Sequence, residues 1–117
     1  MTFTDTQVQA RLAAELPHWT FEGGWICRQF RTSGWKATLM VVNTVGHLAE
    51  AAWHHPDLAV AYASVTVKLM THDAGGITEK DLELARQIEA VVGWRPAPGA
   101  ALEGPPDDPR FHYIAHD

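Results

Sequence analysis

Residues 60–71, VAYASVTVKLMT, decide the fold. The run is dense in β-branched and aromatic types. Val65, Val67 and Leu69 alternate with Thr66, Lys68 and Met70, the period of two expected of a strand with one buried face. On its N-terminal side, residues 34–53 carry Trp35, Leu39, Val42, Val45, Leu48, Ala49 and Ala52 at spacings of three and four, which predicts a long central helix. Thr32 or Ser33 is placed to cap that helix, and Pro56 cannot continue it. On the other side, HDAGG (72–76) reads as a loop. Thr78 then caps a further helix with the stripe Leu82, Ala85, Ile88 and Val92, an Ile77–Leu82 staple and a stop at Gly93.

The rest of the chain extends the pattern. Thr4 with Gln7 forms a capping box and Phe3 with Val8 a staple, so a helix runs from about Asp5 to Glu15 and ends before Pro17. WTFEGGWICRQF (19–30) reads as a hairpin turning at Gly23 and Gly24. The order is helix, two strands, helix, one or two strands, helix, the extra strand falling between Asp57 and Tyr62. Hairpins with helices between them imply an antiparallel sheet with its helices on one face, an α+β domain. From Gly93 the character changes, with Gly and Pro supplying 8 of the last 25 residues. We therefore divide the chain into a domain over 1–92 and an extension over 93–117, whose closing RFHYIAHD can dock through Phe111 and Tyr113, pair at a sheet edge, or hang loose.

Composition narrows the function. The 117 residues are 46% hydrophobic, enough for one core, and carry 14 acidic against 9 basic side chains, a formal charge of −5. That balance offers no electrostatic footprint for nucleic acid or an anionic membrane surface. No apolar run approaches the ~18 residues of a membrane span, and no targeting segment opens the chain. Cys27 is the only cysteine, which rules out an intrachain disulfide and makes the cytoplasm the simplest compartment.

Among seven histidines, His18, His47, His112 and His116 read as surface or tail residues. His54 and His55 close the central helix in EAAWHHPD (50–57), and His72 ends the strand. A helix C-terminus favours a cation, and Glu50 lies one turn before His54. This suits acid and base work by His54 with a counterpart at His72. Adjacent histidines before a proline also serve simply to cap helix carbonyls, and that reading stands beside the first. Metal binding by Glu50, His54, His72 and Asp73 is weaker, because no second helical histidine completes an H-E-x-x-H pattern. Nothing resembles a nucleophile elbow, and Cys27, inside a strand, reads as packing. The five tryptophans read as core or interface, with Trp53 beside the histidines able to flank a flat ring.

These residues carry a resemblance. EAAWHHPD, Tyr62, VTVKLMTHD (65–73) and AGGITEKDLELA (74–85), with LPHW (16–19) and Ile26, Arg28 and Phe30 upstream, closely resemble the pterin-4a-carbinolamine dehydratases. The likeness covers residues 8–92. It implies a four-stranded antiparallel sheet with three helices packed on one face, in the order α-β-β-α-β-β-α, assembled as homodimers or homotetramers. It also implies loss of water from a 4a-hydroxytetrahydropterin, leaving quinonoid dihydropterin, in the recycling of the pterin used by an aromatic amino acid hydroxylase. By carry-over the catalytic residues are His54, His72 and His55. Glu50, His55, Trp53, Pro56, Asp73 and Asp81 surround the substrate, and neither metal nor cofactor is called for. Trp53 stands where relatives often carry a polar residue. Some members of the family serve instead as dimerisation or assembly partners of other proteins, which is the alternative role on the same fold.

Overall fold

The computed structural model describes residues 1–116; Asp117, the last residue of the expected extension, lies outside the described residues. Helix α1 spans Asp5–Glu15, strand β1 Thr20–Glu22, β2 Trp25–Arg31, helix α2 Trp35–Ala52, β3 Asp57–Ala61, β4 Ser64–Leu69 and helix α3 Glu79–Val92. The four strands form one antiparallel sheet in the order β1-β2-β4-β3. Val8 and Leu12 of α1, Val41 and Val45 of α2, and Leu82, Ala85 and Ile88 of α3 pack in one core with Ile26, Phe30, Val65, Val67 and Leu69 of the sheet. The α+β class, the four strands and the three helices over one face agree with the sequence. Among the described residues, no helix is long and apolar enough to cross a membrane.

Local chemistry accounts for most boundaries. The expected capping box of Thr4 with Gln7 forms, and Thr78 caps α3 as expected, its cap completed into a second box by the Asp81 side chain. The β1–β2 turn places Gly23 and Gly24 at φ 59° and 87°, the left-handed pair that a tight hairpin needs and that only glycine adopts without strain. The stretch 60–71 is not one strand. It reverses at Tyr62 and Ala63, so that Ala61 faces Ser64 across a two-residue turn and the extra strand β3 occupies the sheet edge. Neither turn residue has positive φ, so no glycine or asparagine announces the reversal. Long-range bonds hold it instead: the Thr38 hydroxyl donates to the Tyr62 carbonyl (2.9 Å) and the Thr32 N–H to that of Ala63 (2.9 Å).

The start of α2 also differs from expectation. Its N-cap is Gly34, with no side-chain cap, because Thr32 Oγ1 turns to the Gly34 carbonyl (3.2 Å) and to Thr38 Oγ1 (2.7 Å). At the core margin, Arg28 of β2 is buried and pairs with Glu89 of α3 at 2.9 Å, while the Trp19 indole N–H donates to the same carboxylate at 2.7 Å. Burial pushes the Glu89 carboxyl up, but these two donors outweigh it and hold the group below the usual carboxylate range.

The extension docks at a sheet edge. β1 pairs with β2 no further than Cys27, leaving the rest of that edge open. The peptide after Arg31 turns its N–H toward the β3–β4 hairpin and its carbonyl toward the tail, where the Ala115 N–H donates to it (2.9 Å). Ser33 N–H donates to the Tyr113 carbonyl (3.0 Å), and Thr32 bridges Ile114. A short added strand thus covers backbone groups that would otherwise be an open template. Its anchor is Ile114, 7% exposed, whereas Phe111 is 49% exposed. Ile114→Ala is expected to lower the unfolding free energy by about 2 to 3 kcal/mol, and Phe111→Ala by less than about 0.5 kcal/mol. Urea unfolding curves of the two variants check the contrast.

Candidate functional site

The sheet register gathers the candidate residues. Asp57 at the start of β3 faces Lys68 near the end of β4, and Ile26 near the start of β2 faces Leu69. The chain entering β3 (His54, His55, Pro56) therefore runs beside the chain leaving β4 (Thr71, His72), with the N-terminus of α3 closing the same end.

The histidine pair lies just beyond α2 rather than in its last turn. Trp53 takes the left-handed conformation (φ 52°, ψ 47°); among the described residues it is the only non-glycine with positive φ. His54 N–H then donates to the Ala49 carbonyl (3.1 Å) and Trp53 N–H to that of Glu50 (3.2 Å). This is the six-to-one and five-to-two bonding of a Schellman ending, normally built on glycine. It separates the two imidazoles more completely than a helical step would. His54 turns inward, 14% exposed at its side chain, and His55 outward, 50% exposed.

Asp81 receives the inward ring. It is fully buried, the third residue of α3, and its Oδ1 lies 2.6 Å from His54 Nε2. Its Oδ2 accepts from the Thr78 N–H (2.9 Å) and from the Thr71 hydroxyl (2.7 Å). Thr71 has one proton to give, and it goes to Asp81, so the 2.8 Å contact between Thr71 and Thr78 hydroxyls is donated by Thr78. Burying a carboxylate costs several kcal/mol, a penalty offset only when its lone pairs are satisfied. Here three donors and the positive end of α3 meet that condition. An ionised carboxylate only accepts, so His54 Nε2 carries a proton and Nδ1 is the nitrogen left for exchange.

The outward group is separate. Glu50 Oε1 lies 2.8 Å from His55 Nε2, and the Trp53 ring meets His55 edge-on at 5.0 Å. Glu50 is thus the partner of His55, not of His54 as the helical spacing suggested, because the chain leaves the helix before His54 can stack over it. His72 sits in a 3-10 turn over His72–Ala74, exposed, its ring edge-on to Trp25 at 5.5 Å. Pro56 is half-buried beside the pair, and Asp73 is exposed in the His72 turn. The structure therefore joins His54 and Asp81 directly, ties the His72 segment to them through Thr71, and gathers His55, Glu50 and Trp53 on the rim. The sequence reading of the site omitted Thr71, Thr78 and Trp25. Threonines on either side of a loop, with an acid three residues past the second, were the available signal for the first two.

The fold and this cluster define an α+β domain in which one buried carboxylate holds His54 directly and anchors Thr71, the residue before His72. The chain belongs to the pterin 4 alpha carbinolamine dehydratase family, whose model matches residues 1–91. A relative from Aquifex aeolicus, provisionally named a pterin-4-alpha-carbinolamine dehydratase, is 52% identical over 77 residues, 66% of this chain and 78% of that protein. One from Chloroflexus aurantiacus with the same provisional name is 45% identical over 84 residues, 72% of this chain and 90% of that one. A solved Brucella melitensis structure described as a transcriptional coactivator/pterin dehydratase superposes with TM-score 0.71 at 28% identity, covering 79% of this chain and 99% of the other. A pterin dehydratase-like RuBisCO assembly factor of the alpha-carboxysome shares the fold at 18% identity, with TM-score 0.56 over 66% of this chain and 92% of its own.

Trp53 offers a direct check of the helix ending. A bulky residue held in the left-handed region costs on the order of 1 to 3 kcal/mol, and Trp53, 76% exposed, recovers little by packing. Trp53→Gly is expected to raise the unfolding free energy by about 1 kcal/mol, measured by urea denaturation. A loss of stability would mean that the Trp53–His55 contact outweighs the strain.

Proposed function

We propose that this protein dehydrates a 4a-hydroxytetrahydropterin to the quinonoid dihydropterin and water, by histidine acid–base catalysis. The observation that carries the reading is the Asp81 carboxylate, which holds His54 at 2.6 Å and ties down Thr71, the residue before His72. The reaction needs two proton transfers. The C4a hydroxyl leaves as water when it is protonated, while N5 gives up its proton and forms the double bond to C4a. One imidazole donates to the departing oxygen and the other accepts from N5, so the balance closes without a redox partner. In this reading His54 and His72 exchange the protons and His55 holds the pterin. Glu50, Trp53, Pro56, Asp73 and Asp81 shape or support the site.

Family membership supports the substrate class, since the relatives carry a pterin dehydratase name. We further propose that the protein works in the cytoplasm as a homodimer or homotetramer, recycling pterin for an aromatic amino acid hydroxylase. In it, residues 93–117 are an extension mounted on the domain of residues 1–92. The coactivator in the Brucella structure's description supports a protein-binding role as the second reading. Against it stands the complete trio of His54, His55 and His72, which such a role has no reason to keep.

A coupled hydroxylase assay that follows the carbinolamine absorbance tests the proposal. Wild-type protein is expected to accelerate decay above the spontaneous rate. His54→Ala and His72→Ala should each lower the protein-dependent rate by about 10²-fold or more, within the ~10² to 10⁴ that a placed proton-transfer group contributes. Equal decay with and without protein overturns the reading.

A further inference from the structure

His72 poses a physical problem for any proton-transfer role. It is exposed, it sits on a three-residue turn followed by Gly75 and Gly76, and its only described ring neighbour is not in the buried cluster. His54 has a fixed carboxylate to orient it. An imidazole without such a partner rotates among its rotamers and spends little time where a substrate needs it.

The neighbour that His72 does have is built into the sheet. Trp25 opens β2 and pairs with Glu22 across the Gly23–Gly24 turn. Strand alternation sends Ile26 and Phe30 into the core and Trp25 and Cys27 to the opposite face, where Lys68 of β4 faces Cys27. From there Lys68 reaches diagonally toward Trp25, and its Nζ lies over the indole at 4.9 Å from the ring centroid. The His72 ring meets the same indole edge-on, centroids 5.5 Å apart and planes at 76°. One half-buried indole thus carries a cation on its face and an imidazole at T-shaped contact. The cation restrains the indole, and the indole restrains the imidazole.

We propose that Trp25, braced by Lys68, is a positioning residue for His72 and does for that imidazole what Asp81 does for His54. The inference rests on His72 taking part in the reaction proposed above. Trp25 touches no reacting atom; it acts by keeping one orientation of the His72 ring populated. A T-shaped aromatic contact contributes about 0.5 to 1.5 kcal/mol, and a tenfold change in population corresponds to 1.4 kcal/mol. Losing it should therefore cost about two- to twelvefold in kcat. The pterin itself is held elsewhere in this account, so KM should move by less than about twofold.

Two measurements test this. In the dehydration assay, Trp25→Leu is expected to lower kcat about two- to twelvefold with KM nearly unchanged, Trp25→Phe to restore most of it, and Lys68→Met to give a smaller loss of the same kind. Adding Trp25→Leu to His72→Ala should cost less than about twofold more, since the group it positions is gone. A full-sized further loss in the His72→Ala background, or a change confined to KM, overturns the proposal. The second measurement is independent of turnover: NMR of the His72 ring protons. The aromatic ring-current shift should be present in wild type, weaker but still present in Trp25→Phe, and lost in Trp25→Leu and Trp25→Ala. Ring-proton shifts that stay the same in all variants overturn the contact itself. Wild-type protein without dehydration activity would instead overturn the catalytic reading, while the NMR result still decides whether Trp25 holds His72.

Discussion

One buried carboxylate organises this end of the molecule. Asp81 has no exposure to water, so both of its oxygens need donors, and the donors come from three parts of the chain: His54 beyond α2, Thr71 beyond β4, and Thr78 at the head of α3. An unpaired carboxylate there would cost several kcal/mol, a large share of the ~5 to 15 kcal/mol that holds a small domain together. The three segments are therefore obliged to meet. Because the obligation falls on an imidazole, a stabilising network also fixes which histidine nitrogen faces outward.

The helix ending is what makes that meeting feasible. If α2 continued one more turn, His54 would point along the helix surface beside Glu50. The left-handed step at Trp53 ends the helix and sends the two histidines apart, one into the carboxylate and the other onto Glu50 and the Trp53 ring. Trp53 carries a strain that glycine would not. That fits the general pattern that strained backbone collects where side chains have to be aimed.

Where local chemistry decides, the sequence was legible. The capping box at Thr4, the cap at Thr78, the glycine turn at 23–24 and the alternation of residues 65–69 all predicted what forms. The errors arose where distant residues decide. The reversal at Tyr62–Ala63 has no turn signature and rests on Thr32 and Thr38. Thr32 was read as a helix cap but is occupied with the approach to that helix. Phe111 and Tyr113 looked like the anchors of the tail, yet it is Ile114 whose alternation in the added strand faces the core. At the site, residue types and spacing picked out His54, His55 and His72, and the family resemblance added Asp81. Helical spacing points Glu50 at His54, but the left-handed step at Trp53 breaks that spacing and gives Glu50 to His55. Thr71 and Thr78 flank a loop with an acid three residues past the second, a signal present in the sequence, whereas Trp25 depends on cross-strand register and can be named only once the strands are paired.

The orientation of His54 depends on the proton that it places against Asp81. Long-range ¹H–¹⁵N correlation spectra of protein labelled in its imidazole nitrogens report that proton directly. The neutral form of His54 should be the Nε2–H tautomer, held by Asp81, with Nδ1 bare, and this preference should vanish in Asp81→Ala. A His54 ring protonated at Nδ1, or averaging between tautomers as free imidazole does, would contradict the account.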